Sequence, residues 1–401
     1  MPRRFAYEGP MKPTVLRFFV RGDAALAAAI LAAAPVATAA QTARLPTVEQ
    51  APVALLVDLS SDQVLFARNP DRRFVPASIT KVMTLMLAFE MMSEGSLSPQ
   101  RSITVSDEIA AEWSGVGSSM RLEAGDVVSV HDLLIAIATG SANDASIVLA
   151  QASAGTVEQW TTRMRAKARE IGLVQSHFAT PNGWPDEGAT FVTARDLVTL
   201  ARTMITKHPE KYATYIGRKQ VSHNGFTRVN RDPLIGRFEG ADGIKTGFTN
   251  EAGYGFLGSA KRADQRLVMV IAGSYSAGER NQAARGLMAW GFTNFERRSV
   301  FAKSARVGSA RVQDASQASI DLVTDRAVFV NIPRDTSGEL ELSVQYDGPL
   351  RAPISRGEAV AVLEIKAPGI ASARVPLLAA ENVEKAGIFQ RIANGIMGWF
   401  S

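Results

Sequence analysis

The chain has 401 residues, of which 46% are hydrophobic, so it is long enough to bury one large core and a smaller second one. Its net charge of +5 is modest, and its Lys and Arg residues are scattered, which gives no support to nucleic-acid binding. No cysteine is present, so disulfides, thiolate metal sites and lipid attachment through an N-terminal cysteine are excluded.

The first 39 residues have the pattern of a secretory leader. Basic residues between Arg3 and Arg21 precede an Ala-rich apolar run at 24–34, and small residues follow it. The run is shorter than the ~20 residues that a membrane span needs, so a signal peptide over 1–39 is favoured over an uncleaved span. We expect cleavage near Ala39 and a mature protein outside the inner membrane, with Met11 as an alternative start.

A β-hairpin and a helix are predicted next. Apolar runs at 53–59 and 63–67 flank a polar turn, and a helical pattern covers 81–92. Ser78 and Lys81 therefore lie on one face at the start of that helix. A serine becomes a nucleophile when a base takes its proton, and a lysine serves as that base only when its pKa is lowered. Taken alone, Ser78 fits an ordinary N-cap or first-turn residue better than a catalytic one.

The segment that follows is mostly helical, with helices predicted at 130–151, 157–171 and 193–206. Ser141 and Asn143 come directly after Gly140, where polar groups can enter a cleft. Ser141 is a candidate proton relay to a leaving amine, and Asn143 is a candidate for holding Lys81 and a substrate amide. A plain polar turn is the alternative for these two residues.

Lys245-Thr246-Gly247 is the third short sequence string that bears on chemistry, after those at 78–81 and 141–143. Two strands predicted at 254–261 and 266–273 and a helix at 276–297 follow it. On an edge strand that lines a cleft, Lys245 and Thr246 can bind a carboxylate, and Gly247 leaves room for an incoming peptide. Lys245 is also a candidate for a second cation near Lys81, which would lower the pKa of that lysine. The backbone N–H groups of Ser78 and Phe248 are candidate oxyanion donors.

The order and spacing of the three strings carry more weight than any one string. Together they supply a nucleophile, a base, a proton shuttle and an anion clamp, as in acyl-serine enzymes that act on D-alanyl peptides or β-lactams. Strands from both ends of the segment, with helices inserted between them, predict a mixed α/β (α+β) domain over 45–297: an antiparallel sheet flanked by helices, with an all-helical subregion.

The remaining chain predicts two further parts. Short alternating strands separated by turn residues indicate a small all-β, sandwich-like domain over 301–378. Residues 383–401 have apolar side chains at helical spacing with Lys and Arg beside them. This pattern fits either a helix packed on the body or an amphipathic anchor in the membrane plane, and we favour the anchor. The histidines show no metal-ligand spacing, so neither a metal nor a cofactor is expected.

These residues resemble the low-molecular-mass penicillin-binding proteins, specifically the serine D-alanyl-D-alanine carboxypeptidases. The resemblance extends from about residue 45 to the C-terminus and includes the three strings, Pro181-Asn182-Gly183 and Asn230-Arg231. It implies that Ser78 forms the acyl-enzyme, Lys81 accepts its proton and Ser141 shuttles that proton. It also implies that Asn143, Lys245 and Arg231 position the substrate. Ala142 and Phe248 depart from the residues that the family often has.

The resemblance implies removal of the terminal D-alanine from peptidoglycan stem pentapeptides, inhibition by β-lactams and attachment to the outer face of the cytoplasmic membrane through the terminal helix. A D,D-endopeptidase acting on cross-links is the nearest alternative. A class A-like β-lactamase is a second, although Glu187 lacks the sequence that accompanies the deacylating Glu of that class. A cell-wall binding module with a vestigial site is a third. The sequence leaves the oligomeric state open.

Overall fold

The computed structural model describes residues 43–336, 339–367, 369 and 372–387, and the backbone of 14–20. By its internal contacts the chain divides into two compact units, which are described separately. The larger unit comprises 37–59 and 64–293, and the smaller unit comprises 1–36, 60–63 and 294–401.

Strands and helices are numbered in chain order over the described residues. As far as residue 215 they are β1 (Thr14–Val20), β2 (Val53–Asp58), β3 (Gln63–Arg68), α1 (Lys81–Ser93), β4 (Ser102–Thr104), α2 (Asp107–Trp113), β5 (Val127–Ser129), α3 (Val130–Ile135), α4 (Asn143–Ala154), α5 (Val157–Glu170), α6 (Ala194–Lys207) and α7 (Pro209–Tyr215). From residue 220 they are β6 (Gln220–His223), β7 (Phe226–Val229), β8 (Ala241–Thr249), β9 (Gly253–Arg262), β10 (Gln265–Ser274), α8 (Ala277–Thr293), β11 (Phe295–Phe301), β12 (Arg306–Gln313), β13 (Ser319–Thr324), β14 (Val328–Pro333), β15 (Leu340–Tyr346), β16 (Leu350–Arg351), β17 (Ala359–Lys366) and β18 (Ala373–Ala379).

A five-stranded antiparallel sheet in the order β3-β2-β10-β9-β8 forms the centre of the larger unit. Strands from the two ends of the unit meet in it, as the sequence predicts. Helix α8 packs on β2, β9 and β10, and α1 and α6 also contact the sheet. The inner strands are buried along most of their length, which explains their nearly continuous apolar runs. Among the described residues β8 has a strand neighbour on one side only, so it is an edge strand.

The helices α2–α5 form the all-helical part of this unit around buried residues such as Phe89 and Trp160. Ser129 caps α3 by accepting a hydrogen bond from the backbone N–H of Asp132. The single helix predicted over 130–151 is wrong. A π-helical turn (Ala136–Gly140) ends the first part, and α4 begins at Asn143. The helix cannot continue because Ser141 has a left-handed backbone with φ of 62°.

The smaller unit is all-β, as predicted. Its seven-stranded sheet has the order β1-β15-β17-β18-β13-β12-β16, and β11 pairs with β14. The predicted helix over 276–297 is too long, because it ends at Thr293 and β11 begins at Phe295. Strand β18 alternates buried and exposed positions, a period-two signal that the sequence interpretation missed. Pro376 within it makes that signal weaker.

Both ends of the chain bear on the sequence expectations. Thr14–Val20, inside the predicted leader, pairs antiparallel with β15, and the rest of residues 1–39 lies outside the described residues. Val383 and Lys385 form isolated bridges with Ile354 and Ala315, so the predicted terminal helix does not begin at 383. Residues 388–401 lie outside the described part. Over the residues that are described, no helix has the length and apolar character to cross a membrane.

Candidate active site

The nucleophile candidate lies in a tight turn that leads into α1. Residues Ala77–Thr80 form one 3₁₀ turn, hereafter the Ser78 turn, and Lys81 is the first residue of α1. Ala77 has a φ of 48°, a backbone conformation that residues other than glycine rarely adopt. Strained backbone of this kind occurs at functional sites when the surrounding packing enforces it. Ser78 lines a deep cleft, so the turn presents its hydroxyl to that space.

Lys81 is completely buried and contacts Ser78 directly. Its Nζ lies 3.0 Å from Ser78 Oγ, 2.8 Å from Asn143 Oδ1 and 2.5 Å from the carbonyl oxygen of Asn182. Burial, followed by the nearby charge of Lys245, holds the pKa of Lys81 well below its usual range, and Asp144 opposes this shift. A neutral amine has two N–H donors and one lone pair. The two oxygens of Asn143 and Asn182 take the donors, so the lone pair faces the serine hydroxyl.

The Ser141–Asn143 segment is held by an unusually well satisfied carboxylate. Asp144 accepts hydrogen bonds from Ser119 Oγ and from the backbone N–H groups of Met120, Leu122 and Ala145. Asn143 donates from Nδ2 to the Val116 carbonyl, which fixes its amide with Oδ1 toward Lys81. Ser141 also lines the cleft and is only 9% exposed. The structure therefore places Ser141 and Asn143 at a cleft, as the sequence predicted.

Two glycines allow the walls of the cleft to close on the Ser78 turn. A Cβ on Gly183, whose φ is 70°, would lie 1.9 Å from the Ala77 carbonyl oxygen. A Cβ on Gly247 would lie 2.4 Å from the Pro76 carbonyl oxygen. Gly247 is therefore required for β8 to pack on the Ser78 turn. The sequence analysis explained this glycine by the room it leaves for a peptide, whereas the structure shows that the packing of the protein itself requires it.

The edge strand β8 carries the second lysine. Lys245 is 4% exposed, and its Nζ donates to the Thr246 carbonyl oxygen at 3.1 Å. Burial lowers its pKa to about 7, and the charges of Arg231 and Arg280 contribute to the shift. Arg231 lines the same cleft and donates to Ser118 Oγ at 3.3 Å, so the structure places the predicted Asn-Arg arginine beside the clamp.

Sequence reasoning assigned no role to three polar residues at or beside this site. Asn182 supplies the carbonyl for Lys81, Arg280 lines the cleft, and Asp232 is 2% exposed. Asp232 Oδ1 accepts from two backbone N–H groups, whereas its buried Oδ2 has no partner among the described residues. Burial raises the pKa of Asp232 to about 6 against the opposing effect of Arg280 and Lys245. Only the Pro181-Asn182-Gly183 turn gave a signal in the sequence.

The cleft itself has a volume of about 620 Å³. Its polar floor comes from Ser78, Ser141, Asn143 and Thr246, and its rim carries the aromatic rings of Trp184, Phe248 and Tyr254. The rings of Phe248 and Tyr254 stack with centroids 4.1 Å apart, and Phe248 is 47% exposed. The backbones of Ser78 and Phe248, the predicted oxyanion donors, both line this space. No carboxylate is among its lining residues in the described structure.

Comparisons with known proteins agree with this arrangement. The family described as D-alanyl-D-alanine carboxypeptidase matches residues 38–276, and the C-terminal domain of penicillin-binding protein 5 matches 295–385. The D-alanyl-D-alanine carboxypeptidase DacC of Escherichia coli is 33% identical over 95% of this chain and 98% of its own length. The carboxypeptidase DacF of Bacillus subtilis is 29% identical over 87% and 90%.

Solved structures give the same result. Penicillin-binding protein 5 of Haemophilus influenzae has a TM-score of 0.74 at 28% identity, covering 85% of this chain and 100% of that one. Penicillin-binding protein D2 of Listeria monocytogenes, solved with ampicillin bound, has a TM-score of 0.55 at 27% identity, covering 61% and 98%. Fold and site together define a serine-type hydrolase of the penicillin-binding group. The chain belongs to the D-alanyl-D-alanine carboxypeptidase family.

Proposed function

We propose that this protein removes the terminal D-alanine from peptidoglycan stem pentapeptides through an ester on Ser78. The observation that carries the proposal is the contact between a buried lysine amine and the serine hydroxyl, 3.0 Å between Lys81 Nζ and Ser78 Oγ. A lysine with a depressed pKa in this position is a general base that needs no histidine. The family membership supports the same chemistry.

Acylation follows from the geometry. Ser78 Oγ attacks the carbonyl carbon of the penultimate D-alanine while its proton passes to the Lys81 amine. The backbone N–H groups of Ser78 and Phe248 receive the oxyanion. The C–N bond then breaks, and the departing amine takes the proton from Lys81 through the Ser141 hydroxyl. Water hydrolyses the ester in a second cycle with Lys81 again as the base.

The terminal carboxylate is recognised by the clamp. We infer that Lys245 and Thr246 bind it, with Arg231 and Arg280 supplying further positive charge on the same side of the cleft. Asn143 Nδ2 and Oδ1 are committed to Val116 and Lys81 in the free enzyme, so substrate binding draws on the remaining capacity of this amide. Gly247 keeps β8 close enough for these groups to bind the carboxylate while the scissile peptide bond lies at Ser78.

Penicillins are expected to acylate Ser78 and remain bound. Class A β-lactamases use a carboxylate to drive deacylation, whereas no Asp or Glu lines this cleft within the described residues. Glu187 does not line it either. The long-lived ester of an inhibited enzyme is therefore favoured over β-lactam hydrolysis.

The place of action remains a proposal. A signal peptide over 1–39 would export the protein to the periplasm, and an amphipathic segment in 388–401 would attach it to the outer face of the cytoplasmic membrane. A variant that ends at Gly387 keeps every described strand and tests the attachment. We expect it to leave the membrane fraction, and pelleting with membranes at the level of the full chain would contradict the anchor.

The decisive experiment measures D-alanine release from a pentapeptide ending in D-Ala-D-Ala, with and without penicillin. Release that penicillin abolishes, and that Ser78→Ala reduces by at least about 10⁴-fold, would support the mechanism. Full activity in a folded Ser78→Ala protein would overturn it. Covalent penicillin binding without D-alanine release would favour a cross-linked substrate or a binding role.

A further inference from the structure

A second chamber lies beside the anion clamp and has no role in the reaction as described so far. Its volume is about 340 Å³, and it shares Ser141, Arg231 and Thr246 with the catalytic cleft. Lys245, Thr139 and Arg228 from β7 complete the part of its wall that concerns the argument below. The chamber therefore adjoins the cleft along these three residues.

The direction of the substrate places its leaving group at this chamber. The scissile carbonyl lies at the backbone of Ser78 and Phe248, and the terminal carboxylate lies at Lys245 and Thr246. Along β8 the step from Phe248 back to Lys245 therefore runs from the scissile bond toward the leaving residue. A side chain larger than methyl on that residue extends past Thr246 into the chamber.

The lining of the chamber suits an anion. Lys245, Arg228 and Arg231 bring three cationic groups to it, and none of its lining residues in the described structure is Asp or Glu. Lys245 is buried and Arg228 is partly buried, so a bound anion offsets part of the cost of keeping their charges there. Burial followed by the charges of Arg231 and Arg121 lowers the pKa of Arg228, and Asp144 opposes this shift only in part.

Two buried polar atoms in this wall lack a hydrogen-bond partner. Thr139 is 4% exposed, and its Oγ1 has no partner among the described residues. Arg228 Nε is also buried and also lacks a hydrogen-bond partner among the described residues. The guanidinium of Arg228 lies 4.9 Å from the centre of the Phe226 ring. Buried polar groups are nearly always paired, so unpaired ones in the wall of a polar cavity point to a ligand.

We propose that the chamber is a subsite for leaving residues that carry an anionic side chain, so that the enzyme releases acidic D-amino acids as well as D-alanine. D-Alanine leaves the chamber unfilled, because its methyl group is small and its single carboxylate is already at Lys245 and Thr246. A side-chain carboxylate reaches Arg228 and Thr139 while the α-carboxylate stays on the clamp. The bonds made and broken are those of the proposed function, on which this inference rests.

The test compares three peptides that differ only in the leaving residue: D-alanine, D-glutamate or its neutral isostere D-glutamine. The wild-type enzyme is expected to favour D-glutamate over D-glutamine by about 10-fold in kcat/KM, the scale of one charge-assisted hydrogen bond. Arg228→Gln is expected to abolish this preference and to change D-alanine release by less than about twofold. Thr139→Val removes the unpaired hydroxyl with little change of shape and provides a second variant that should reduce the preference.

Arg121→Gln is the matched control. Arg121 also stacks on the Phe226 ring, at 4.5 Å, but it does not line the chamber. It should leave the D-glutamate preference intact. Release of D-alanine with no preference for D-glutamate over D-glutamine would overturn the subsite alone. Release of D-glutamate without D-alanine would overturn the proposed function alone, and release of neither would overturn both.

Discussion

The surroundings of the two buried lysines beside the cleft differ in one respect that matters for chemistry. Lys81 contacts three oxygens of the protein, including the serine hydroxyl, whereas Lys245 donates to a single carbonyl among the described residues. Lys81 lies near one other lysine and the buried Asp144, whereas Lys245 lies near two arginines and the buried Asp232. The protein therefore fixes the first amine toward the nucleophile and leaves the donors of the second free for a ligand. Burial alone does not assign a role to a lysine, but its hydrogen-bond partners do.

The largest effect should come from removing the fixed amine. Lys81→Met keeps a long unbranched side chain in the buried site but has no lone pair to accept the Ser78 proton. Loss of the general base is expected to lower kcat/KM for D-alanine release, and the rate of penicillin acylation, by about 10³–10⁴-fold. Stopped-flow or gel-based acylation by a labelled penicillin measures the second rate directly.

Lys167→Met provides the control for this substitution. Lys167 pairs with Glu90 and Glu170 and does not line the cleft. Its replacement should leave acylation near the wild-type rate. A Lys81→Met protein that folds and is acylated as fast as Lys167→Met would refute the assignment of the base.

A smaller and different loss is expected at the second lysine. Lys245→Met removes a charged donor to the terminal carboxylate, so KM for the pentapeptide should rise about 10–100-fold while kcat falls less. A substrate with a C-terminal amide lacks that charge and should be affected less than about threefold by the same change. Equal losses on the acid and amide substrates would contradict a carboxylate clamp.

Lys245→Met also sharpens the comparison through pH. Lys81 must be neutral to act as a base, so activity is lost as pH falls through its pKa. The charge of Lys245 helps to hold that pKa down, so removing it raises the pKa of Lys81. The acid limb of kcat/KM should therefore move to higher pH in this variant.

The smallest effect is expected from Asp232. Lys245 must be charged to hold a carboxylate, so binding is lost as pH rises through its pKa of about 7. Asp232 raises this pKa, whereas Arg231 and Arg280 lower it. Asp232→Asn should move the alkaline limb to lower pH and leave the acid limb in place, with losses below about tenfold near neutral pH.

Asp71→Asn is a suitable control, because Asp71 forms an exposed ion pair with Arg195 outside the cleft. Its pH profile should match that of the wild type. An unchanged alkaline limb in Asp232→Asn would show that the buried carboxylate does not act on Lys245.

The sequence predicted the part of the site that depends on side-chain identity and order. Ser78, Lys81, Ser141, Asn143 and Lys245 were found because their chemistry is tied to short strings. In the structure Ser78, Ser141 and Asn143 line one cleft, Lys81 contacts Ser78 and Asn143, and Lys245 lines the adjoining chamber. The sheet and the all-β unit were found because period-two and helical spacings survive in most of their elements.

What the sequence did not give depends on packing between distant segments. The Asn182 carbonyl is a backbone group, so its contact with Lys81 cannot be predicted from the type of residue at that position. Asp232 and Arg280 matter because they are buried near Lys245, where their charges change its pKa. The break at Ser141 was missed because apolar residues continue on both sides of it, and only the left-handed backbone ends the helix.

The position of β8 at the edge of its sheet has a consequence for solubility and for ligand binding together. A free strand edge is ordinarily a hazard, because any extended chain can pair with it and begin aggregation. Thr246–Thr249 line the catalytic cleft, so this edge is reached by a single peptide rather than by another sheet. We expect a bound stem peptide to pair with this edge as a temporary sixth strand, so hydrogen exchange at the backbone amides of β8 should slow when a non-hydrolysed peptide occupies the cleft.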